Sequence, residues 1–414
     1  MKIPRCKGAR DLTPQDMPRF RRIEEVFRTC CSAWGYKEIR TPTLEYLHLF
    51  TSAGTLSPDM LSRVYSFLDW DGWSGERVVL RPDGTIPSAR FYVESLSNMP
   101  IARLCYIENM FSFEGTGQES RERWQCGVEL MGGTEPEGDA ELIMLALEIL
   151  GKLGIAPVNV KLSHVGLFKT LLQELGIENE EQVLGKILAG DTSVLSKIKG
   201  QSPQVKRFLK LLLDLQGKSP GFLGNLRSVL PEGLSTIKPY IDDLAQIAEL
   251  LDSIGQGYQI DSASGEGFEY YTGMVFQFYS ASELLGKGGR YDELIPLVGG
   301  NDIPASGFAL FIDRIMPLIH EGSTFSPKIL LTSASGQIEE MKSTFEVARR
   351  LRELGYIAEI DLGASNGADC HWTVSLEKMD DKRRLTLTDR ASGKEQKGLS
   401  LPQLLQKLEE AKCR

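Results

Sequence analysis

Ile101 to Phe113 and Trp124 to Met131 are two strand-length runs joined by a charged, glycine-bearing loop, Glu114 to Arg123. Runs of that length and separation close as an antiparallel pair. Alternation along the second run puts Gln125, Gly127 and Glu129 on one face and Cys126, Val128 and Leu130 on the other. An amide and a carboxylate on one face of an apolar strand are unusual for a plain core sheet. They are what a polar pocket floored by a sheet needs.

The chain has 414 residues, enough for two or three domains with their own cores. Its net charge of −9 argues against a protein whose main work is gripping a polyanion, so nucleic acid is not an expected partner. No apolar run reaches membrane-spanning length, and Met1-Lys2-Ile3-Pro4-Arg5 has no apolar signal-peptide core. The seven cysteines are odd in number and lack C-x-x-C spacing, which indicates free thiols in a reducing cytoplasm. His48, His164, His320 and His371 are scattered without a carboxylate or thiol at ligand spacing. Neither a metal nor a cofactor is expected.

Thr13, Pro14 and Asp16 form an approximate capping box ahead of a helix through Met17, Phe20, Ile23, Phe27, Cys30 and Trp34, ended by Gly35. Tyr36 to Arg40 reads as a short strand, Glu45 to Phe50 as a short helix, and 51–62 as a loop. Strands Tyr65 to Leu68 and Arg77 to Leu80 flank turn residues Trp70 to Gly75. Arg81-Pro82-Asp83-Gly84-Thr85 then opens a helix, which places a carboxylate and a hydroxyl near a helix N-terminus. Alone, that is an ordinary cap. A helix from Gly138 to Leu153, a strand from Val158 to His164 and a helix from Gly166 to Leu175 come next.

Residues 178 to about 236 read as helical, without strand signal, and carry a local basic excess: Lys186, Lys197, Lys199, Lys206, Arg207, Lys210, Lys218 and Arg227. No aromatics interleave, so a solvated helix face is favoured over RNA contact. After a helix from Ile237 to Gly255 comes Gly265-Glu266-Gly267-Phe268-Glu269-Tyr270-Tyr271-Thr272-Gly273, a glycine-rich turn with two aromatics leading into a strand. Gly286 to Asp292 resembles a phosphate loop only in glycine content. Pro304 to Phe311 is a strand opening into a helix at Ile312 to Met316. Gly322 to Pro327 reads as a linker. Residues 328–414 alternate strand and helix, which implies a mostly parallel sheet.

Several of these stretches, in order, resemble the class II histidyl-tRNA synthetase family. Gly8-Ala9-Arg10-Asp11 with Tyr36 to Pro42 is similar to its opening and first motif, and Phe111 to Glu129 to its second. Gly267 to Gly273 and Gly288 to Asp292 are similar to its two histidine-specific motifs, and Gly307 to Arg314 to its third. The resemblance implies an α+β fold: a six-stranded antiparallel sheet flanked by helices in 1–177 and 237–323, a helical insertion at 178–236, and a C-terminal α/β domain at 328–414 like a shortened anticodon-binding domain. It implies histidine contacts from Asp83, Thr85, Gln125, Glu129, Tyr270 and Tyr271, with Arg121 and Arg314 on the nucleotide side.

Two positions depart from that pattern. Ser112 and Glu266 stand where the family's arginines grip the ATP phosphate and promote adenylate formation. One lost attraction and one gained repulsion, each about 4 kcal/mol at about 4 Å and an effective dielectric near ~20, sum to roughly 8 kcal/mol. Half of that is about a thousandfold in rate. The pattern is more similar to a non-charging branch of the family, the regulatory subunits of ATP phosphoribosyltransferase. That branch implies no catalytic residues and a short-form catalytic subunit as partner. It further implies a homodimer inside a larger hetero-oligomer, with histidine as feedback ligand. A histidyl-tRNA synthetase with an altered site is the alternative, and a synthetase-like sensor a third.

Overall fold

Thr13 and Asp16 settle how the first helix begins. The Thr13 N–H donates to Asp16 Oδ2 at 2.9 Å, and the Asp16 N–H donates to Thr13 Oγ1 at 3.3 Å. This is the reciprocal capping box the sequence implied, and the bonds from Thr13 hold the Asp16 carboxyl below its ordinary range. Helix α1 (Met17–Ala33) begins there and buries Phe20, Ile23, Phe27, Cys30 and Cys31. The computed structural model describes residues 3–52, 62–69, 75–113, 120–177, 183, 184, 186, 203–213, 216, 217, 220–261, 270–319, 327–333, 337–363, 370–379 and 382–412.

Along the chain come β1 (Lys37–Glu38), β2 (Leu44–Tyr46), α2 (Leu47–Ser52), β3 (Ser66–Leu68), β4 (Arg77–Leu80) and α3 (Thr85–Ser95). The long pair β5 (Ala102–Phe111) and β6 (Glu122–Met131) is followed by α4 (Glu137–Lys152), β7 (Asn159–His164) and α5 (Val165–Glu174). Then come α6 (Pro203–Leu213), β8 (Gln216–Gly217), α7 (Pro220–Ser228), α8 (Lys238–Ser253) and β9 (Tyr258–Asp261). Strands β10 (Met274–Ser280) and β11 (Glu283–Arg290), helix α9 (Leu294–Leu297), β12 (Ala305–Phe311) and α10 (Ile312–Ile315) complete the first of two compact units, Met1–Glu321.

Its main sheet runs β1-β5-β6-β12-β11-β10-β7-β9-β8. The run from β5 to β7 is the expected six-stranded antiparallel core. Parallel β1 extends one edge, and parallel β9 with antiparallel β8 extends the other. The small sheet β2-β4-β3 lies apart. One face of the main sheet carries Cys126, Val128, Leu130, Phe276, Phe278, Phe308 and Leu310 into a core shared with α1, α4, α5 and α8. Leu104, Val275, Tyr271 and Tyr291 join a second core with α3. No helix of the described residues is long and apolar enough to cross a membrane.

The second unit, Gly322–Arg414, contains β13 (Lys328–Ser333), α11 (Ile338–Glu353), β14 (Ile357–Ile360), β15 (Trp372–Met379), β16 (Lys382–Asp389), β17 (Glu395–Leu399) and α12 (Leu401–Lys412). Its sheet order is β14-β13-β15-β16-β17. The mostly parallel sheet expected here is corrected to a mixed one: β13 pairs in parallel with β14 and β15, whereas β15, β16 and β17 are antiparallel. The connections after β15 are too short for a crossover, so they force hairpins. Strand β17 has a polar sequence, Glu395-Gln396-Lys397-Gly398-Leu399, which hid it.

Other expectations also shift. The inserted segment does hold a strand, the two-residue β8, and Gly286 to Arg290, which resembles a phosphate loop only in glycine content, is the end of a strand. The helix expected at Glu45 starts at Leu47, after β2. Most of the 51–62 loop, most of the turn at 70–75 and, in the basic segment, Lys197, Lys199 and Lys218 lie outside the described residues.

One buried cation ties the first unit together. Arg290, 1% exposed, bonds Asp139 through Nε and Nη2 at 3.2 and 2.9 Å. It also reaches Glu135 at 2.8 Å, Asp292 at 3.1 Å and the Gly133 carbonyl at 3.0 Å. Burial raises the Asp139 carboxyl to about 6 against the pull of Arg290. Removing one member of such a buried pair leaves an uncompensated charge. Arg290→Ala is expected to lower the unfolding free energy by about 3–5 kcal/mol in urea titrations. A loss below about 1 kcal/mol would show that the pair contributes nothing specific.

Candidate functional site

β6 presents the alternation read from its sequence. Cys126, Val128 and Leu130 enter the helix-covered core, and Glu129, 1% exposed, projects from the other face. A carboxyl so buried must find donors. Thr85 at the start of α3 donates its hydroxyl to Glu129 Oε1 at 2.8 Å, and the Tyr106 hydroxyl of β5 donates to the same oxygen at 3.1 Å. Tyr291, just after β11, donates to Oε2. Gln125 Nε2 donates to the Tyr106 hydroxyl at 3.3 Å.

The neighbouring strands make room. Tyr106 lies opposite Gly127, and a Cβ on Gly127 would sit 2.0 Å from the tyrosine ring. Glu129 lies opposite Gly307, where a Cβ would come within 2.1 Å of Oε2. Either substitution would push the carboxyl or its donor out of place.

Asp83 stands beside this cluster. Its Oδ1 accepts the Ile86 N–H at 2.9 Å, capping α3, and its Oδ2 accepts the Tyr270 hydroxyl at 3.3 Å. Tyr270, Tyr271 and Tyr291 pack together, with centroids 4.9 Å apart for the first two, 5.8 Å for Tyr270 and Tyr291, and 6.3 Å for Tyr271 and Tyr291. Tyr270 and Tyr271 precede β10 rather than lying on a strand, so both face one cluster instead of opposite sides. Arg81 anchors the segment that delivers Asp83. It is buried, pairs with Glu108 at 2.7 Å and donates to the Thr41 carbonyl at 2.8 Å.

Burial dominates the electrostatics. It raises Glu129 to about 8, against the pull of its bonds from Tyr291 and Thr85, and nearby Asp83 adds to the rise. Burial likewise raises the Asp83 carboxyl. The Tyr106, Tyr270 and Tyr291 phenols are pushed well above their ordinary value by burial and neighbouring carboxyls. They therefore remain protonated donors. A protonatable carboxyl ringed by hydroxyls suits a ligand that brings a cation or an N–H.

The six residues expected at the pocket, Asp83, Thr85, Gln125, Glu129, Tyr270 and Tyr271, are thus joined through one network of bonds and ring contacts. Arg121 and Arg314 stand in other contacts. The Arg121 guanidinium lies 5.1 Å from the Phe113 ring centroid, and the Arg121 backbone N–H donates to the Gly8 carbonyl at 2.7 Å. Arg314 is 3.6 Å from Glu283 and 5.7 Å from the Phe311 ring centroid. Ser112 closes the base of the β5–β6 loop, its N–H donating to the Arg121 carbonyl at 3.1 Å, while its Oγ is buried without a partner. Glu266 lies outside the described residues. Tyr106 and Tyr291 are the members that sequence reasoning missed. Each had a signal: Tyr106 pairs with the glycine between Gln125 and Glu129, and Tyr291 sits inside the Gly288 to Asp292 motif.

Residues 8–315 match the family model of histidyl-tRNA synthetase. An ATP phosphoribosyltransferase regulatory subunit of Dehalococcoides mccartyi is 48% identical over 383 residues, covering 91% of this chain and 92% of that protein. A histidine–tRNA ligase of Methanosarcina acetivorans is 34% identical over 99% of both chains. The crystal structure of an ATP phosphoribosyltransferase regulatory subunit/histidyl-tRNA synthetase from Bacillus halodurans superposes with a TM-score of 0.76 at 27% identity, over 89% of this chain and 95% of that one.

The raised Glu129 carboxyl has a consequence for stability. Folded, it keeps its proton up to about 8, whereas its ordinary value is 4.5. Between those values the native state binds more protons than the unfolded chain, so stability falls as pH rises from one to the other. Glu129→Gln is expected to remove that decline. Denaturant titrations at pH 5 and pH 8 would show the wild type losing several kcal/mol more than the variant across the interval. Parallel losses in the two proteins would refute the assignment.

Proposed function

The chain belongs to the histidyl-tRNA synthetase family, and from that premise we propose that it works as a regulatory subunit of ATP phosphoribosyltransferase rather than as a charging enzyme. The observation that carries the proposal is 48% identity to regulatory subunits across almost the whole chain, against 34% to a charging enzyme at equal or greater coverage. Ser112 supports it from the chemistry. A hydroxyl supplies no positive fork for a phosphate where the synthetase resemblance implies an arginine, and Glu266 reverses the sign at the second such position.

In this proposal the partner is a short-form catalytic subunit that condenses ATP with phosphoribosyl pyrophosphate, the chain carries no catalysis of its own, and the complex is cytoplasmic. The chain forms a homodimer within the larger hetero-oligomer. Histidine is the ligand of the Glu129 pocket, with its imidazole N–H on the buried carboxyl and its ammonium near Asp83. Feedback then requires histidine to favour one quaternary state, since a ligand with equal affinity for both shifts nothing. A tenfold inhibition needs a differential of about 1.4 kcal/mol between states. One charge-assisted hydrogen bond gained or lost at Glu129 is of that size.

The test is reconstitution. The chain is added to a short-form catalytic subunit from the same organism, and condensation is followed with and without histidine. Activity is expected to rise on addition and to fall again with histidine, and Glu129→Gln is expected to blunt the histidine response at least tenfold. Unchanged activity, together with histidine-dependent ATP–pyrophosphate exchange by the chain alone, would establish the synthetase reading instead.

A further inference from the structure

The register of the main sheet places one more charged group on the pocket face. Gln277 pairs with Lys287, Lys287 with Ala309, Ala309 with Gly127, and Gly127 with Tyr106. Residues directly opposite one another across a sheet share a face. Lys287, on β11, therefore shares the face of Tyr106, the side from which Glu129 also projects. The alternation agrees. Phe276 and Phe278, on either side of Gln277, lie in the helix-covered core, and a Cβ on Gly288 would meet Phe276 and Phe308 of that same core. On the pocket face, a Cβ on Gly289 would meet Tyr271.

A register shift sets this up. Leu285, two residues before Lys287, is in the opposite core. The pairing slips between Phe278 and Tyr279, so that Phe278 faces Gly286 while Tyr279 faces Leu284. The extra residue on β11 is a bulge, and it re-aims the side chains beyond it. Lys287 is half-buried, and its charge reaches Asp83 through space, a small pull against the burial that raises that carboxyl.

Lys287 and Glu129 stand on the same face at separate positions of the sheet. From β11 to β6 is two strand spacings, about 10 Å, and the row of Lys287 is two residues, about 7 Å, from the row of Glu129. The Cα positions of Lys287 and Glu129 are thus about 12 Å apart along the diagonal, and the two side chains rise from them on the same face. Between them lies Ala309, while the Tyr106 ring covers Gly127 and the Glu129 carboxyl covers Gly307.

We propose that Lys287 receives the carboxylate of the ligand whose ring is held at Glu129, so that the pocket selects an imidazole amino acid over the corresponding amino alcohol. The inference rests on the reading of this pocket as a histidine site and deepens it. It supplies the positive partner for the ligand's carboxylate that neither Ser112 nor Glu266 provides. A lysine suits the task as a compact, flexible point charge.

The test is calorimetric titration of the full chain with histidine and with histidinol, whose alcohol replaces the carboxylate. The wild type is expected to bind histidine more tightly. Lys287→Gln is expected to weaken histidine about 10- to 100-fold while moving histidinol less than about threefold, and Lys287→Arg to restore most of the preference. Equal losses for the two ligands, no loss for histidine, or a wild type that does not distinguish them would each overturn the proposal. Failure of the wild type to bind either ligand would instead overturn the pocket reading, and the assignment of Lys287 with it. An unchanged melting temperature of Lys287→Gln distinguishes lost binding from lost fold.

Discussion

A carboxyl group is held in the interior of the first unit without a cation bonded to it, and much of the surrounding architecture derives from that constraint. Glu129 is buried on a central strand, so its oxygens must be met by donors from other elements. They come from the first turn of α3, from β5, and from the segment after β11. Hydroxyls serve where a guanidinium would have locked the group as an anion. Because the donors are neutral, the carboxyl keeps a raised affinity for its proton and is poised to exchange that proton for a ligand's N–H. Arg290 shows the contrast, a buried cation that engages three carboxylates in a scaffold role.

The glycines belong to the same constraint. Gly127 yields its space to the Tyr106 ring, and Gly307 yields its space to Glu129. A sheet whose central positions carry no side chains is weaker than one packed with branched residues. The structure accepts that cost on the pocket face and offsets it on the other, where Phe276, Phe278, Phe308 and Leu310 are packed against helices. One face thus supplies stability and the other remains shaped around polar groups.

Much of this was legible in the sequence, because strand alternation is a strict period. It placed Gln125 and Glu129 together, marked the antiparallel β5–β6 pair, and identified the helix N-terminus that brings Asp83 and Thr85. The losses have physical causes. Tyr106 looked like one apolar residue among several, since its role appears only when Gly127 is seen opposite it. Lys287 was concealed by the bulge near Leu285, which breaks the period on which sequence reading relies. The polar β17 and the two-residue β8 carry no periodic signal at all. In the second unit, alternation of strand and helix implied parallel pairing, but the short connections after β15 overrode it.

On the proposed reading, a regulator built on a catalytic fold sheds a group that grips a phosphate while keeping the groups that recognise an amino acid. Ser112 sits just past the end of β5, beside the loop to β6, and its buried Oγ has no hydrogen-bond partner to lose. Glu129, Tyr106 and Tyr291 sit inside the unit, where a change would strand a buried polar atom. Substitution at the periphery is therefore cheap and substitution at the centre is costly. On the proposed regulatory reading, that difference would preserve a ligand pocket where the charging chemistry is lost. Such a pocket is also well placed for coupling, since its donors come from α3, β5 and the end of β11 at once. A ligand that displaces even one of these bonds acts on three elements of the fold, and any quaternary contact made by one of them would feel the change.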